Sequence, residues 1–215
     1  MTGTTDYLEP ITRDNAAIAF VDNQNNLMLG VQSIDTTILR LNTEGLAKLA
    51  QLYSLPVVLT TTGGGAEGAW GPMLKPVTDT FPDAPIFNRR HLNAMDDPGF
   101  ADAIRATGRR KIILSGIATD FCLTFPALSL LREGFHVYIA VDASGSWTKQ
   151  IEDAALRRLV QAGATPATVQ QILGELHATD SAKDLEAAEA NAPEVGKWLV
   201  RYSGTPAIVS MAMFG

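Results

Sequence analysis

Short, mostly apolar runs alternate along this chain with longer amphipathic ones, and that alternation narrows the possible folds more than any other feature. Ala16 to Val21, Pro56 to Thr62, Lys111 to Gly116 and His136 to Val141 are each of strand length, with apolar side chains at successive rather than alternate positions. Strands of that kind belong in a parallel sheet buried on both faces. Between them lie segments of helical spacing. In the stretch from about Asp35 to Tyr53, Ile38, Leu41, Leu46, Leu49 and Leu52 recur at roughly helical intervals. Further helices are expected near Met73 to Phe81, over Phe100 to Thr107, over Leu123 to Glu133 closed by Gly134, and over Ile151 to Ala162 stopped by Gly163. A short strand near Ile86 and a final crossover over Thr165 to Leu176 complete a series of βαβ units. With 215 residues, 46% of them hydrophobic, the chain can bury a full core as one domain, 1–215. From Asp180 onward it is Ala- and Glu-rich with helical spacing to about Arg201, then ends in the apolar run Ile208 to Phe214. We read 180–215 as a C-terminal extension that packs on the core or on a neighbouring subunit.

Several function classes are excluded at this level. Net charge is −6 and the basic residues are scattered, which leaves no electrostatic footprint for nucleic acid. The start, Met1 to Tyr7, has neither a basic nor an apolar stretch of the signal-peptide kind, and no run is long enough to span a bilayer, so a cytoplasmic location is expected. One cysteine forms no internal disulfide and supplies no thiolate pair to zinc. His91, His136 and His177 lack metal-gathering spacing, so no metal is expected. Gly63-Gly64-Gly65-Ala66-Glu67-Gly68 matches G-x-G-x-x-G after a strand, but Ala69-Trp70-Gly71-Pro72 follows where a helix should open. The loop reads as a pocket rim, and no cofactor is expected.

In an open parallel sheet, ligands bind beyond the carboxyl ends of the strands. Asp22 ends the first strand, Arg89 ends the third with Arg90 as its rival, and Cys122 follows the strand Lys111 to Gly116. A carboxylate, a guanidinium and a thiol at three strand ends suit acyl transfer: proton acceptor, charge partner and nucleophile. Pro126 is tolerated only near a helix start, which places that start close to Cys122. There the helix dipole favours a thiolate, and N–H groups near Ala118 and Cys122 stand ready for an oxyanion. Trp70, Phe121 and Trp147 fall in loops at the same edge and are candidate pocket residues.

Ala19-Phe20-Val21-Asp22-Asn23-Gln24, Arg89, and Gly116-Ile117-Ala118-Thr119-Asp120-Phe121-Cys122 resemble the isochorismatase-like cysteine hydrolases over about Asp14 to Leu176. Phe81-Pro82-Asp83-Ala84-Pro85, Phe125-Pro126-Ala127-Leu128-Ser129 and Asp142-Ala143-Ser144-Gly145 resemble the YcaC-like branch. The resemblance implies a three-layer α/β fold of Rossmann-like kind, a six-stranded parallel sheet in order 3-2-1-4-5-6 with helices on both faces. It implies a triad of Asp22, Arg89 and Cys122, an oxyanion hole at Ala118 and Cys122, and a cis peptide between Ile117 and Ala118 that turns the Ala118 N–H toward the pocket. Gln24 joins the candidate pocket residues. A homo-oligomer, tetramer or octamer, is implied as well. Most of the family has lysine where this chain has Arg89. Guanidinium stays charged, so proton transfer falls to Asp22. Nicotinamidases carry metal-binding histidines after the second strand, where this chain has Thr61-Thr62-Gly63-Gly64-Gly65.

The expected activity is that of a metal-independent amidase, cleaving a C–N bond of a small amide through a thioester on Cys122. The rival is a non-catalytic binding or assembly protein on the same fold. A thiol primed beside Arg89 should alkylate with iodoacetamide well below about pH 8, and a packed one should not.

Overall fold

The computed structural model describes residues 8–203 and Ala212, so the rest of the apolar run 208–214 lies outside the described residues. Six strands form one sheet: β1 (Ala16–Val21), β2 (Val57–Thr62), β3 (Ile86–Arg89), β4 (Lys111–Gly116), β5 (His136–Ala140) and β6 (Thr165–Ala167). Their order is β3-β2-β1-β4-β5-β6, and every neighbouring pair is parallel. β1 and β4, in the middle, are buried along their whole length, as their unbroken apolar pattern requires.

Helices cover both faces. Ile18 and Phe20 of β1 pack toward α2 (Thr36–Leu52), α7 (Val169–Lys183) and α8 (Leu185–Trp198), in a core with Leu39, Leu46, Leu49, Ile172, Leu176 and Trp198. Ala17, Ala19 and Val21 face the other way, toward α4 (Pro98–Ala106), α5 (Thr124–Arg132) and α6 (Lys149–Ala162), with Phe100, Ile104, Leu130 and Leu159. Two short helices, α1 (Asn25–Met28) and α3 (Lys75–Thr80), complete the set. The period of two along β1 thus divides the protein into two cores, one on each side of the sheet.

Element ends follow local chemistry. Asp35 caps α2 by accepting from the N–H groups of Thr37 and Ile38, Thr168 and Gln171 form a reciprocal capping box on α7, and Gly163 closes α6 in the left-handed region. Two boundaries differ from the sequence reading. The final crossover does not stop near Leu176 but runs to Lys183, because Leu173 and Leu176 both face the core and no breaker intervenes. Cys122 is not in the first turn of a regular helix. Thr119–Leu123 form a wider π-type turn, α5 begins at Thr124, and Pro126 falls within its first turn, where its missing N–H costs little.

The described part of the C-terminal extension packs on α2. Trp198 is buried, and its Nε1–H donates to Gly45 O at 2.9 Å. Gly45 is small for a reason: a Cβ there would lie 3.1 Å from Tyr202. Truncating the indole should therefore open a large void. Trp198→Ala should lower the urea-unfolding free energy by about 3–5 kcal/mol. Trp198→Phe, which keeps most of the packing and loses the hydrogen bond, should cost about 1 kcal/mol more than a neutral change. An unchanged unfolding midpoint in Trp198→Ala would show that α8 adds nothing to the core.

Candidate active site

Asp22 follows β1 directly, and simple alternation would send its side chain to the α2 face with Ile18 and Phe20. Its backbone is instead left-handed, φ 57°, a conformation that aspartate tolerates better than most residues. The N–H of Asp22 still donates to Thr60 O at 3.0 Å and Gln24 N–H donates to Asp22 O at 2.7 Å. The reversal lets the carboxylate meet groups on the α5 side of the sheet.

There it meets Arg89. Arg89 is the last residue of β3, in register with Thr62 of β2, and it is buried while Arg90 is exposed. That settles which of the two arginines faces inward. Arg89 Nη1–H donates to Asp22 Oδ1 and Nη2–H donates to Asp22 Oδ2, both at 2.6 Å, with both side chains fully buried. Two weaker bonds steady the guanidinium, from Nη1 to Thr60 Oγ1 at 3.3 Å and from Nη2 to Leu92 O at 3.4 Å. Thr60 Oγ1 in turn donates to Phe87 O at 2.8 Å. Thr60 and the Leu92 carbonyl were missing from the sequence reading. The signal available for Thr60 was its place in β2, two residues from the strand end on the face that Arg89 shares.

Cys122 comes from the turn after β4 and is only 9% exposed. Its sulfur lies near enough to Asp22, Arg89 and the Ala118 N–H for each to act on the thiol's titration. The Ile117–Ala118 peptide that presents this N–H is cis. Three strand ends therefore converge: β1 gives the carboxylate, β3 the guanidinium, and the turn after β4 the thiol.

The electrostatics correct one expectation. Burial pushes the Cys122 thiol up to about 12, the neighbouring Asp22 charge and its acceptance of the S–H proton push the same way, and Arg89 and the Ala118 N–H only partly oppose them. The positive charge that was to hold a thiolate is already committed to Asp22 through two short bonds. Burial, more than any partner, thus favours the neutral thiol over a primed thiolate.

The other candidates divide by their surroundings. Gln24 is fully buried, and its amide is spent on backbone: Thr62 N–H donates to its Oε1 at 3.0 Å, and its Nε2–H donates to Gly71 O at 2.6 Å. It pins the Gly-rich segment to the end of β2 and is no open pocket group. Trp70 is 42% exposed and lies over Gly63, where a Cβ would come 2.3 Å from the indole. A Cβ at Gly68 would lie 1.8 Å from Gly63 O. These glycines let the segment fold closely onto itself. Phe121 is 45% exposed and stacks on Phe125, ring centroids 6.3 Å apart. Trp147 is half-buried with its ring against Gly30, so it packs the loop more than it lines an open space. Among the described residues no three His, Cys, Asp or Glu side chains gather as a metal site, and no helix is long and apolar enough to cross a membrane.

The same architecture is found in known proteins. Residues 16–171, most of the chain, match the Isochorismatase domain family. YcaC of Escherichia coli, a probable hydrolase, is 36% identical over 177 residues, covering 82% of this chain and 84% of that protein. The solved structure of YcaC from Pseudomonas aeruginosa with hexane-2,5-diol and covalent acrylamide superposes with a TM-score of 0.81 at 34% identity, covering 94% of this chain and 96% of that one. The E. coli YcaC structure, described as an octameric hydrolase of unknown specificity, superposes with a TM-score of 0.79 at 31% identity, over 96% and 100% of the two chains. With the sheet order and these likenesses in agreement, the chain belongs to the isochorismatase family of hydrolases, as a YcaC-like member.

Proposed function

We propose that this chain is a metal-independent cysteine amidase, with Asp22, Arg89 and Cys122 as its triad, cleaving the C–N bond of a small amide. The observation that carries the reading is the closed, buried Asp22–Arg89 pair with the Cys122 thiol beside it at the ends of three strands. As the sulfur attacks the carbonyl carbon, its proton passes to Asp22, the carboxylate beside it. Arg89 remains charged throughout and steadies the negative charge that leaves the carboxylate for the sulfur and the oxyanion. The oxyanion is received by the N–H groups of Ala118 and Cys122. Asp22 then gives its proton to the departing amine, the C–N bond breaks, and a thioester remains. Water, losing a proton to Asp22, adds to the thioester. The C–S bond breaks, the acid leaves, and the sulfur recovers its proton.

Likeness to the P. aeruginosa protein, solved with covalent acrylamide, supports a reactive nucleophile, since acrylamide takes soft nucleophiles at its alkene carbon. Likeness to the octameric E. coli protein supports a homo-oligomer here. The alternative, a non-catalytic binding or assembly protein, is favoured by one observation, the neutral and nearly buried thiol. The two readings separate on covalent turnover.

Ammonia release from a panel of small amides tests the reaction. Cys122→Ala should abolish turnover of any amide the wild type cleaves, a loss on the order of 10³-fold or more. Retained turnover would remove the thiol from the mechanism. Asp22→Asn makes a paired demand. It removes the negative charge that pushes the thiol up and leaves Arg89 unopposed beside it, so iodoacetamide alkylation of Cys122 near neutral pH should rise about tenfold while amide turnover, without a proton acceptor, falls to background. In the wild type, alkylation should be slow at neutral pH and climb through the alkaline range toward about 12. A fast plateau below about pH 8 would contradict the neutral resting thiol. Light scattering should give a tetramer or an octamer, and a monomer at micromolar concentration would refute the assembly.

A further inference from the structure

The turn that carries Cys122 is bound along one side to the segment after β5. Gly145 N–H donates to Gly116 O at 3.4 Å and Thr119 N–H donates to Gly145 O at 3.0 Å. One residue on, Ser146 Oγ–H donates to Asp120 Oδ1 at 2.6 Å. Ser146 is held from its far side as well. Its N–H donates to Ser33 Oγ at 2.9 Å, its carbonyl accepts from the N–H groups of Gln32 and Ser33 at 3.0 and 3.2 Å, and Ser33 Oγ–H donates to Glu152 Oε1 at 3.0 Å. Ser146 is fully buried and Glu152 nearly so, yet the reaction above uses neither. Each hydroxyl has its direction fixed, because Ser33 receives the Ser146 N–H and gives its own proton to Glu152, while Ser146 gives its proton to Asp120.

The turn needs such a brace. Thr119–Leu123 is a π-type turn, wider than a helical one and held by long bonds from Phe121 N–H and Leu123 N–H to Ala118 O, at 3.2 and 3.3 Å. Asp120 lies midway along this turn between Ala118, at its start, and Cys122, which carries the sulfur. We propose that Ser146 and Asp120 are positioning residues for the nucleophile: their hydrogen bond, braced by Ser33 and Glu152, keeps the Ala118 N–H and the Cys122 sulfur aligned with Asp22 and Arg89. The proposal rests on Cys122 being the nucleophile, but its test reads the thiol and needs no amide substrate.

The test is the rate of Cys122 alkylation by iodoacetamide, followed on the full chain from about pH 6 to about pH 10. Asp22 and Arg89, the charged groups that face the sulfur from the ends of β1 and β3, stay in place in every variant. Ser146→Ala and Asp120→Ala release the turn, so the sulfur leaves its fixed contact with Asp22. Alkylation near pH 7.5 should then rise about tenfold and the profile should move toward that of a free thiol. Asp120→Asn keeps the accepting oxygen and should stay within about twofold of wild type. Wild-type profiles in both alanine variants would overturn the proposal. So would Asp120→Asn behaving like Asp120→Ala, since charge and not the bond would then govern the thiol. If those variants do not fold, Ser33→Ala, one bond further out, carries the test: a shift in the same direction supports the brace, and a wild-type profile overturns it. A chain that cleaves no amide would still give one of these outcomes, so the two readings fail separately.

Discussion

The buried, two-pronged ion pair between Asp22 and Arg89 is the constraint around which the open end of the sheet is organised. It joins the ends of β1 and β3 across β2, with the Thr60 hydroxyl beneath it. Two charges taken fully out of water are costly, and the cost is offset only where geometry is close and the remaining donors are used. Here both carboxylate oxygens are engaged at 2.6 Å, while Arg89 Nε, buried, has no protein partner among the described residues. Removing either partner would leave an uncompensated charge, a penalty of about 3–5 kcal/mol. The pair therefore fixes the end of a four-residue edge strand and fixes where a negative charge can stand beside the sulfur.

The strand order explains why the sulfur arrives at that place. β2 and β3 lie on one side of β1, and β4 lies on the other. The connection changes direction between β1 and β4, which opens a crevice beyond their carboxyl ends. Asp22 and the turn bearing Cys122 leave from those two strands, and Gly116 of β4 is in register with Val21, the residue before Asp22. Carboxylate and thiol meet because two adjacent strands end level with each other.

This explains what could be read before the structure and what could not. Five of the six strands and most helices were legible because apolar runs and periodic faces are local, and the strand-end placement of Asp22, Arg89 and Cys122 follows from them; β6, three residues around Pro166, is too short to show a pattern. The choice of Arg89 over Arg90 rests on alternation in a short edge strand, where Phe87 and Arg89 share a face; a strand of four residues gives that pattern little length in which to be seen. Alternation points Asp22 the wrong way, and only its left-handed backbone reverses it. The Gln24 amide has partners at Thr62 and Gly71, far along the chain, so its structural duty leaves no local trace. The thiol's state depends first on its burial and then on Asp22 and Arg89 together, which the helix dipole and a nearby guanidinium, read from sequence, do not reveal.

A neutral resting thiol is compatible with the proposed reaction and changes what the triad must do. A standing thiolate would need the guanidinium for itself, leaving the carboxylate unpaired, and it would react with any electrophile or oxidant that reached it. In this arrangement the guanidinium is bound to the carboxylate, and the carboxylate holds the thiol proton without taking it. The nucleophile is formed only when a carbonyl carbon is close enough for the S–C bond to develop as the proton leaves, so the charge lost by the sulfur's proton is never uncompensated. Such coupling depends on geometry, since a sulfur displaced from the carboxylate could neither pass its proton nor meet the Ala118 N–H. The mechanism thus asks more of the turn that carries Cys122 than a preformed thiolate would, and the hydrogen bonds that tie this turn to the segment after β5 lie where that demand is greatest.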